Sequence, residues 1–155
     1  MKKIRKVIML FSIAITLTFQ PLSVFAASTN DSYSTKEYLE DGSYFETIIE
    51  SNENQKSTIK NASKTTNYKD ANGNVLWYAK VTANFYYDGK TSSCTASSAS
   101  AGSNVSGWKI LSKSSSRTGN VGSATVTAAA YYAGVYVDSI TVKVLLSCDK
   151  NGNLS

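Results

Sequence analysis

The chain contains no histidine. That excludes His general bases, His metal ligands and every Ser–His or Cys–His arrangement. Its cysteines number only two, Cys94 and Cys148. In an oxidising compartment an even count is expected to form one disulfide, which leaves no thiol nucleophile. Serines abound, but none has a visible activating base. Helix-period apolar patterning is nearly absent as well. Net charge is low once the N-terminus is set aside. The total is +5, but Lys2, Lys3, Arg5 and Lys6 supply four of the bases, and the rest of the chain sets 12 Lys/Arg against 11 Asp/Glu. A nucleic-acid partner is therefore not expected. Nor is an enzyme, a cofactor or a metal site. A small hydrolase working through two carboxylates is the disfavoured alternative. Seven of the 11 acids lie before Lys56, and Asp70, Asp88 and Asp149 sit in turn-like sequence.

The basic start is followed by an apolar run, Val7 to Phe19, and then by Val24-Phe25-Ala26. This order predicts a secretory signal peptide over residues 1–26. The run is short for a membrane span of about 20 residues. The expected product is secreted and extracellular, with no membrane span in the mature chain. Residues 27–62 read as an acidic N-terminal hairpin and linker, and 63–155 as the main domain. Ala27 to Gln55 carries seven acids and one base, whereas Lys56 to Ser155 carries 11 bases and four acids. The acidic arm is expected to pack on the basic body, with Phe45, Ile48 and Ile49 doing most of the docking.

The most regular stretch is Val75 to Tyr87. Val75, Trp77, Ala79, Val81, Ala83, Phe85 and Tyr87 alternate with Leu76, Tyr78, Lys80, Thr82, Asn84 and Tyr86. Period two predicts a strand with one dry face. Asn72-Gly73 before it and Asp88-Gly89 after it predict a hairpin on each side. At about twice the usual strand length it is expected to bend or bulge near Thr82-Ala83, or to cross from one sheet to the other. Trp77, Trp108 and Phe85 are the expected core anchors. Ile140, Val142, Val144, Leu146 and Cys148 mark a second clear strand. Glu37–Glu40 and Ser43–Glu50 flank Asp41-Gly42 as a further hairpin. Shorter strands are expected at Thr91–Thr95, Trp108–Lys113 and Ser123–Tyr132. Loops are expected over Ser51–Ser63, Ala96–Ser106 and Ser114–Gly122. Six or seven strands point to an all-β fold, an antiparallel β-sandwich of Ig-like or similar type, with a small barrel as runner-up.

Asp70-Ala71-Asn72-Gly73-Asn74 and Asp149-Lys150-Asn151-Gly152-Asn153 share one pattern. It starts like a calcium loop but lacks the later ligands, so turns built on Asn-Gly are expected. The second copy is placed to fold Leu154 back onto the last strand. Of the ten tyrosines, Tyr86, Tyr131, Tyr132 and Tyr136 are the candidates for a surface that stacks on sugar rings or a partner, against half-buried cross-strand pairing.

Asp41-Gly42-Ser43-Tyr44-Phe45-Glu46-Thr47, Asn72-Gly73-Asn74-Val75-Leu76-Trp77, Phe85-Tyr86-Tyr87-Asp88-Gly89, Cys94, Trp108 and the closing Cys148 to Ser155 together resemble a family of small secreted proteins of Gram-positive bacteria (Firmicutes). The resemblance implies source and localisation and brings no activity, ligand or catalytic residue. The expected function is binding without catalysis, to a cell-wall polymer or an extracellular protein. A secreted bacteriocin-like antagonist is the alternative; the absence of an amphipathic membrane helix counts against it.

Overall fold

The structure, a computed structural model, describes residues 33–52 and 58–155. These form eight strands: β1 (Tyr33–Tyr38), β2 (Tyr44–Asn52), β3 (Ile59–Lys69), β4 (Val75–Tyr87), β5 (Ser92–Ser103), β6 (Trp108–Thr118), β7 (Val121–Tyr132) and β8 (Val135–Ser147). The first five make one antiparallel sheet and the last three a second, each in chain order. The sheets face each other as a β-sandwich and no barrel closes. The order is a meander, without the returning connection of an immunoglobulin Greek key.

β4 shows why this sequence folds so. Trp77, Ala79, Val81, Ala83 and Phe85 are buried, while Tyr78, Lys80, Thr82 and Asn84 lie on the outer face. The hairpin turns fall where the glycines predict them, with positive φ at Gly73 (87°) and Gly89 (83°). Asp70 Oδ1 accepts from the backbone N–H of Asn72 (3.0 Å) and Asn74 (2.8 Å). Asp149 repeats this at 2.8 Å to both Asn151 and Asn153. Both D-x-N-G-N strings are thus Asx-type turns. The second returns the chain so that Leu154 bridges to Cys148.

The core has two contrasting halves. The five-stranded sheet contributes bulk. Trp77 is fully buried and packs on Tyr68 (5.8 Å between ring centroids), Trp108 (6.0 Å) and Phe45 (6.2 Å). Its Nε1 has no hydrogen-bond partner, a cost of about 1–3 kcal/mol that the ring packing offsets. Phe85 is also fully buried, and Trp108 is half-buried against the same cluster. The three-stranded sheet contributes Trp108 from β6 and Leu146 from β8, and otherwise smaller side chains: Ala124, Val126 and Ala128 from β7 and Val144 from β8. At Gly122 the sheets approach so closely that a Cβ would lie 2.9 Å from Ala83 Cβ and 3.3 Å from Cys94 Sγ.

Several expectations need correction. Residues 1–32, the proposed signal peptide among them, and 53–57 lie outside the described residues. The boundary between residues 62 and 63 falls inside β3, and β1 and β2 are hydrogen-bonded members of the large sheet rather than an appended arm. Most of the loop expected over Ser51–Ser63 is the end of β2 and the start of β3. The loop expected over Ala96–Ser106 is mainly the second half of β5, and β6 runs on to Thr118. The irregularity in β4 lies at Asn84/Phe85, two residues beyond the expected place, and the strand stays in one sheet. The acidic stretch does meet the basic body, with Phe45 and Ile49 packed against the core, but Ile48, expected to dock with them, lies on the outer face. Glu46 pairs with Lys69, and Glu50 with Lys80 at 3.6 Å.

Candidate functional site

Pairing in register sets successive outer-face residues side by side across the five-stranded sheet. One row runs Glu46, Asn67, Tyr78, Gly102; the next runs Ile48, Thr65, Lys80, Ser100; a third runs Glu50, Ser63, Thr82, Ser98. A shallow open trough of about 580 Å³ lies over this face, lined by Ile48, Glu50, Thr65, Asn67, Tyr78, Lys80, Thr82 and Ser100. A smaller hollow of about 420 Å³ adjoins it over Asn61 and Ser63.

Tyr78 lies flat across the end of this trough because position 102 is glycine. A Cβ at Gly102 would sit 2.8 Å from Tyr78 Cε1 and 3.2 Å from its hydroxyl. The ring therefore rests on bare backbone of the edge strand, half-buried, with one side turned to the trough. The two charges within it neutralise each other. Lys80 Nζ is 3.6 Å from Glu50 Oε2, which also accepts from Ser63 Oγ (3.3 Å). Asn61 Nδ2 donates to Asn84 Oδ1 at 2.6 Å and stiffens the far end. Next to the trough, Tyr44 is held between Lys36 and Lys69, whose Nζ atoms are 5.2 and 5.9 Å from its ring centroid. The Glu46 hydrogen bond raises the Lys69 pKa and keeps it protonated.

Four of the remaining carboxylates, Asp41, Asp70, Asp88 and Asp149, are engaged in turns. Asp41 is held below its ordinary value by the Ser43 side chain and backbone, Asp70 by Asn74, and Asp88 by the Thr91 and Lys90 backbone. Among the described residues, no three His, Cys, Asp or Glu side chains gather closely enough to hold a metal ion.

The structure divides the tyrosines singled out from sequence. Tyr131, Tyr132 and Tyr136 come together at the β7–β8 turn, where the Tyr131 and Tyr136 rings meet edge to face at 6.0 Å. Tyr86 stands apart, on β4 opposite Ser93 and Ile59. Sequence reasoning missed Tyr78, the aromatic of the trough. Its signal was a Tyr on the polar face of the best strand, but only the register brings Gly102 beneath it.

Cys94 and Cys148 do not form the expected disulfide; both are buried free thiols. Each Sγ turns to a nearby carbonyl, Cys94 to Ala96 O (3.2 Å) and Cys148 to Asp149 O (3.5 Å). Burial pushes both thiols up, away from thiolate chemistry. Their backbones grip the β6–β7 turn together, with Cys94 N–H donating to Gly119 O (2.8 Å) and Cys148 N–H to Asn120 O (3.1 Å). Among the described residues no helix is long and apolar enough to cross a membrane. No protein-family model, curated protein or solved structure matches the chain.

Proposed function

We propose that this is an exported, non-catalytic binding protein of a Gram-positive bacterium, whose five-stranded sheet takes a neutral saccharide chain of the cell wall or its surroundings. One observation carries the reading: a shallow trough that combines an aromatic ring, an amide and several hydroxyls with internally cancelled charge. A sugar ring offers apolar C–H faces and a rim of hydroxyls. Tyr78 matches the first, and Asn67, Thr65, Thr82 and Ser100 match the second. The Glu50–Lys80 pair sets the preference for a neutral ligand over the polyanionic wall polymers that the basic C-terminal stretch alone suggests. An open trough suits a chain lying across strands β2 to β5. Export is supported by the basic start, the apolar run and the small residue at position 26.

The test is calorimetric titration with soluble wall glycan fragments and with a neutral polysaccharide. Tyr78→Ala and Asn67→Ala are expected to abolish measurable binding while the melting temperature stays within a few degrees. Saturable binding that survives both substitutions, or no binding to any saccharide at millimolar concentration, overturns the reading.

A further inference from the structure

We infer that one end of the sandwich, where the β4–β5, β6–β7 and C-terminal turns meet, binds a linear wall polymer whose charges are phosphodiesters. This end is separate from the saccharide trough, whose own charges cancel. The choice of the wall as the source rests on the export proposed above; the basic character of the end does not. β4 runs from the Asn72-Gly73 turn at one end to the Asp88-Gly89 turn at the other. Trp108 packs on Tyr68 (5.4 Å between ring centroids) and Trp77 at the first end, so β6 starts there and its turn into β7 falls at the second. Hydrogen bonds knit the turns of the second end together. Gly89 N–H donates to Lys150 O (2.9 Å), and Asn120 Nδ2 donates to Cys148 O (2.8 Å).

The two ends use the same turn chemistry with opposite charge. At the first end the turns over residues 39–43 and 70–74 carry Glu40, Asp41 and Asp70 and no base. Two bases near them, Lys36 and Lys69, both pair with Glu46. At the second end the Asp88-Gly89 turn continues into Lys90, where its counterpart Asp41-Gly42 continues into Ser43. The closing D-x-N-G-N turn holds Lys150 where its counterpart holds Ala71. Turn geometry calls for the Asp, Asn and Gly of these strings. The positions it leaves free are basic at one end alone.

Lys60 and Arg117 join this end from β3 and β6. Lys60 Nζ donates to Gly152 O (2.8 Å) and Arg117 Nη1 to Cys94 O (3.1 Å). Each keeps its remaining N–H groups for a ligand. Lys90, Arg117 and Lys150 are exposed. Among the described residues none of the four bases takes part in an ion pair. The two acids of this end are absorbed by their own turns. Asp88 Oδ1 accepts from the backbone N–H of Lys90 (2.9 Å) and Thr91 (2.7 Å), and Asp149 Oδ1 from Asn151 and Asn153. The acidic turns cannot cancel this charge from the far end. β4 alone, 13 residues at about 3.3 Å each, exceeds the screening length of about 8 Å in physiological salt. Bases from four separate segments repeat the charge across the end, which fits a chain of phosphodiesters better than one small anion.

The experiment is titration of the protein with a soluble glycerol-phosphate polymer of the teichoic type, with single-stranded DNA and phosphatidylglycerol vesicles as separate arms. The wild type is expected to bind the glycerol-phosphate polymer at about 50 mM salt and to lose most of that binding by about 200 mM. The double substitution Lys90→Ala, Lys150→Ala is expected to weaken it by roughly tenfold or more and to flatten its salt dependence, with tryptophan fluorescence unchanged. Lys36→Ala, Lys109→Ala removes the same charge from the other end and is expected to weaken it less than about twofold. No binding by the folded wild type at low salt overturns the inference, as does binding that the Lys90→Ala, Lys150→Ala variant retains in full. Tighter binding to DNA, or binding to the vesicles without binding to the polymer, would give this end to a nucleic acid or a lipid surface and overturn it too.

Discussion

The two sheets meet in different ways at the two ends of the sandwich. The five-stranded sheet presents large aromatic rings, Trp77, Phe85 and Tyr68, to the interior. The three-stranded sheet meets them with Trp108 at one end and with Gly122, Ala124 and Ala128 further along, where the backbone comes close. Ring meets ring where Tyr68 and Trp77 pack on Trp108, and small meets small where Gly122 approaches Ala83 and Ser97, so each region is filled in its own way. The difference carries to the outside. The large sheet is wide enough to hold a trough. The small sheet is narrow, and its longest hairpin outruns its neighbour.

The strongest way to break this complementarity is from the bulky side. Trp77→Ala removes the ring on which Phe45, Tyr68 and Trp108 converge, and is expected to cost about 3–5 kcal/mol. Urea denaturation measures it, and a loss below about 1 kcal/mol would mean that the neighbours refill the space. Breaking it from the small side should cost less. Gly122→Val drives a side chain into Ala83, Ser97 and Cys94, an overpacking penalty of about 1–3 kcal/mol in the same assay. If that variant were as stable as wild type, the sheets could slide apart freely and the close approach would have no energetic role.

The third test concerns the turns that finish each sheet. Ala133→Asn gives the β7–β8 loop the residue its φ favours, and is expected to stabilise by about 1 kcal/mol. Thermal melting detects this as a rise of a few degrees. The smallest effect is the response to acid. In Asp149 burial pushes the carboxyl up, but hydrogen bonds from Asn153, Asn151 and Gly152 outweigh it and leave the pKa below its ordinary 3.8. Asp70 is lowered by Asn74 in the matching turn. A carboxylate whose folded pKa is depressed contributes stability that is present above 3.8 and is lost as pH falls through the folded value. Urea midpoints followed from about pH 6 down to about pH 2 should therefore hold steady and then fall below about pH 4. Asp149→Asn, which cannot titrate, should shrink that fall.

Particular residues show how much of this was legible in the sequence. The β4 strand announced itself because one face is apolar without interruption, and Asn72-Gly73 and Asp88-Gly89 marked its ends. The second half of β5 did not, because the residues facing Trp77 to Ala83 need only fill small gaps. Ala99, Ala101 and Ser103 do so, and small residues carry little hydrophobic signal. The second half of β6, Ser112 to Thr118, is exposed on both faces and reads as loop by composition. Its strand character comes from pairing with β7. The tyrosines of the β7–β8 turn were visible as a cluster in sequence. The trough was not, since Asn67, Tyr78 and Gly102 meet only once three strands are in register.

Because each strand pairs with the one next to it in the chain, the molecule can be assembled in the order in which it is made or threaded through a pore. The hairpins β1–β2, β3–β4, β4–β5, β6–β7 and β7–β8 close across short turns, so the loop entropy lost at each of them is small. No strand has to wait, unpaired and sticky, for a partner from the far end, as the outer strands of a Greek key must. A single short passage, residues 104–107, carries the chain from one sheet to the other. The interior is finished last, when Val144, Leu146 and Cys148 arrive and Leu154 folds back over them. Up to that moment the growing sheet has one bare face, and the final dozen residues act as the latch that ends its exposure.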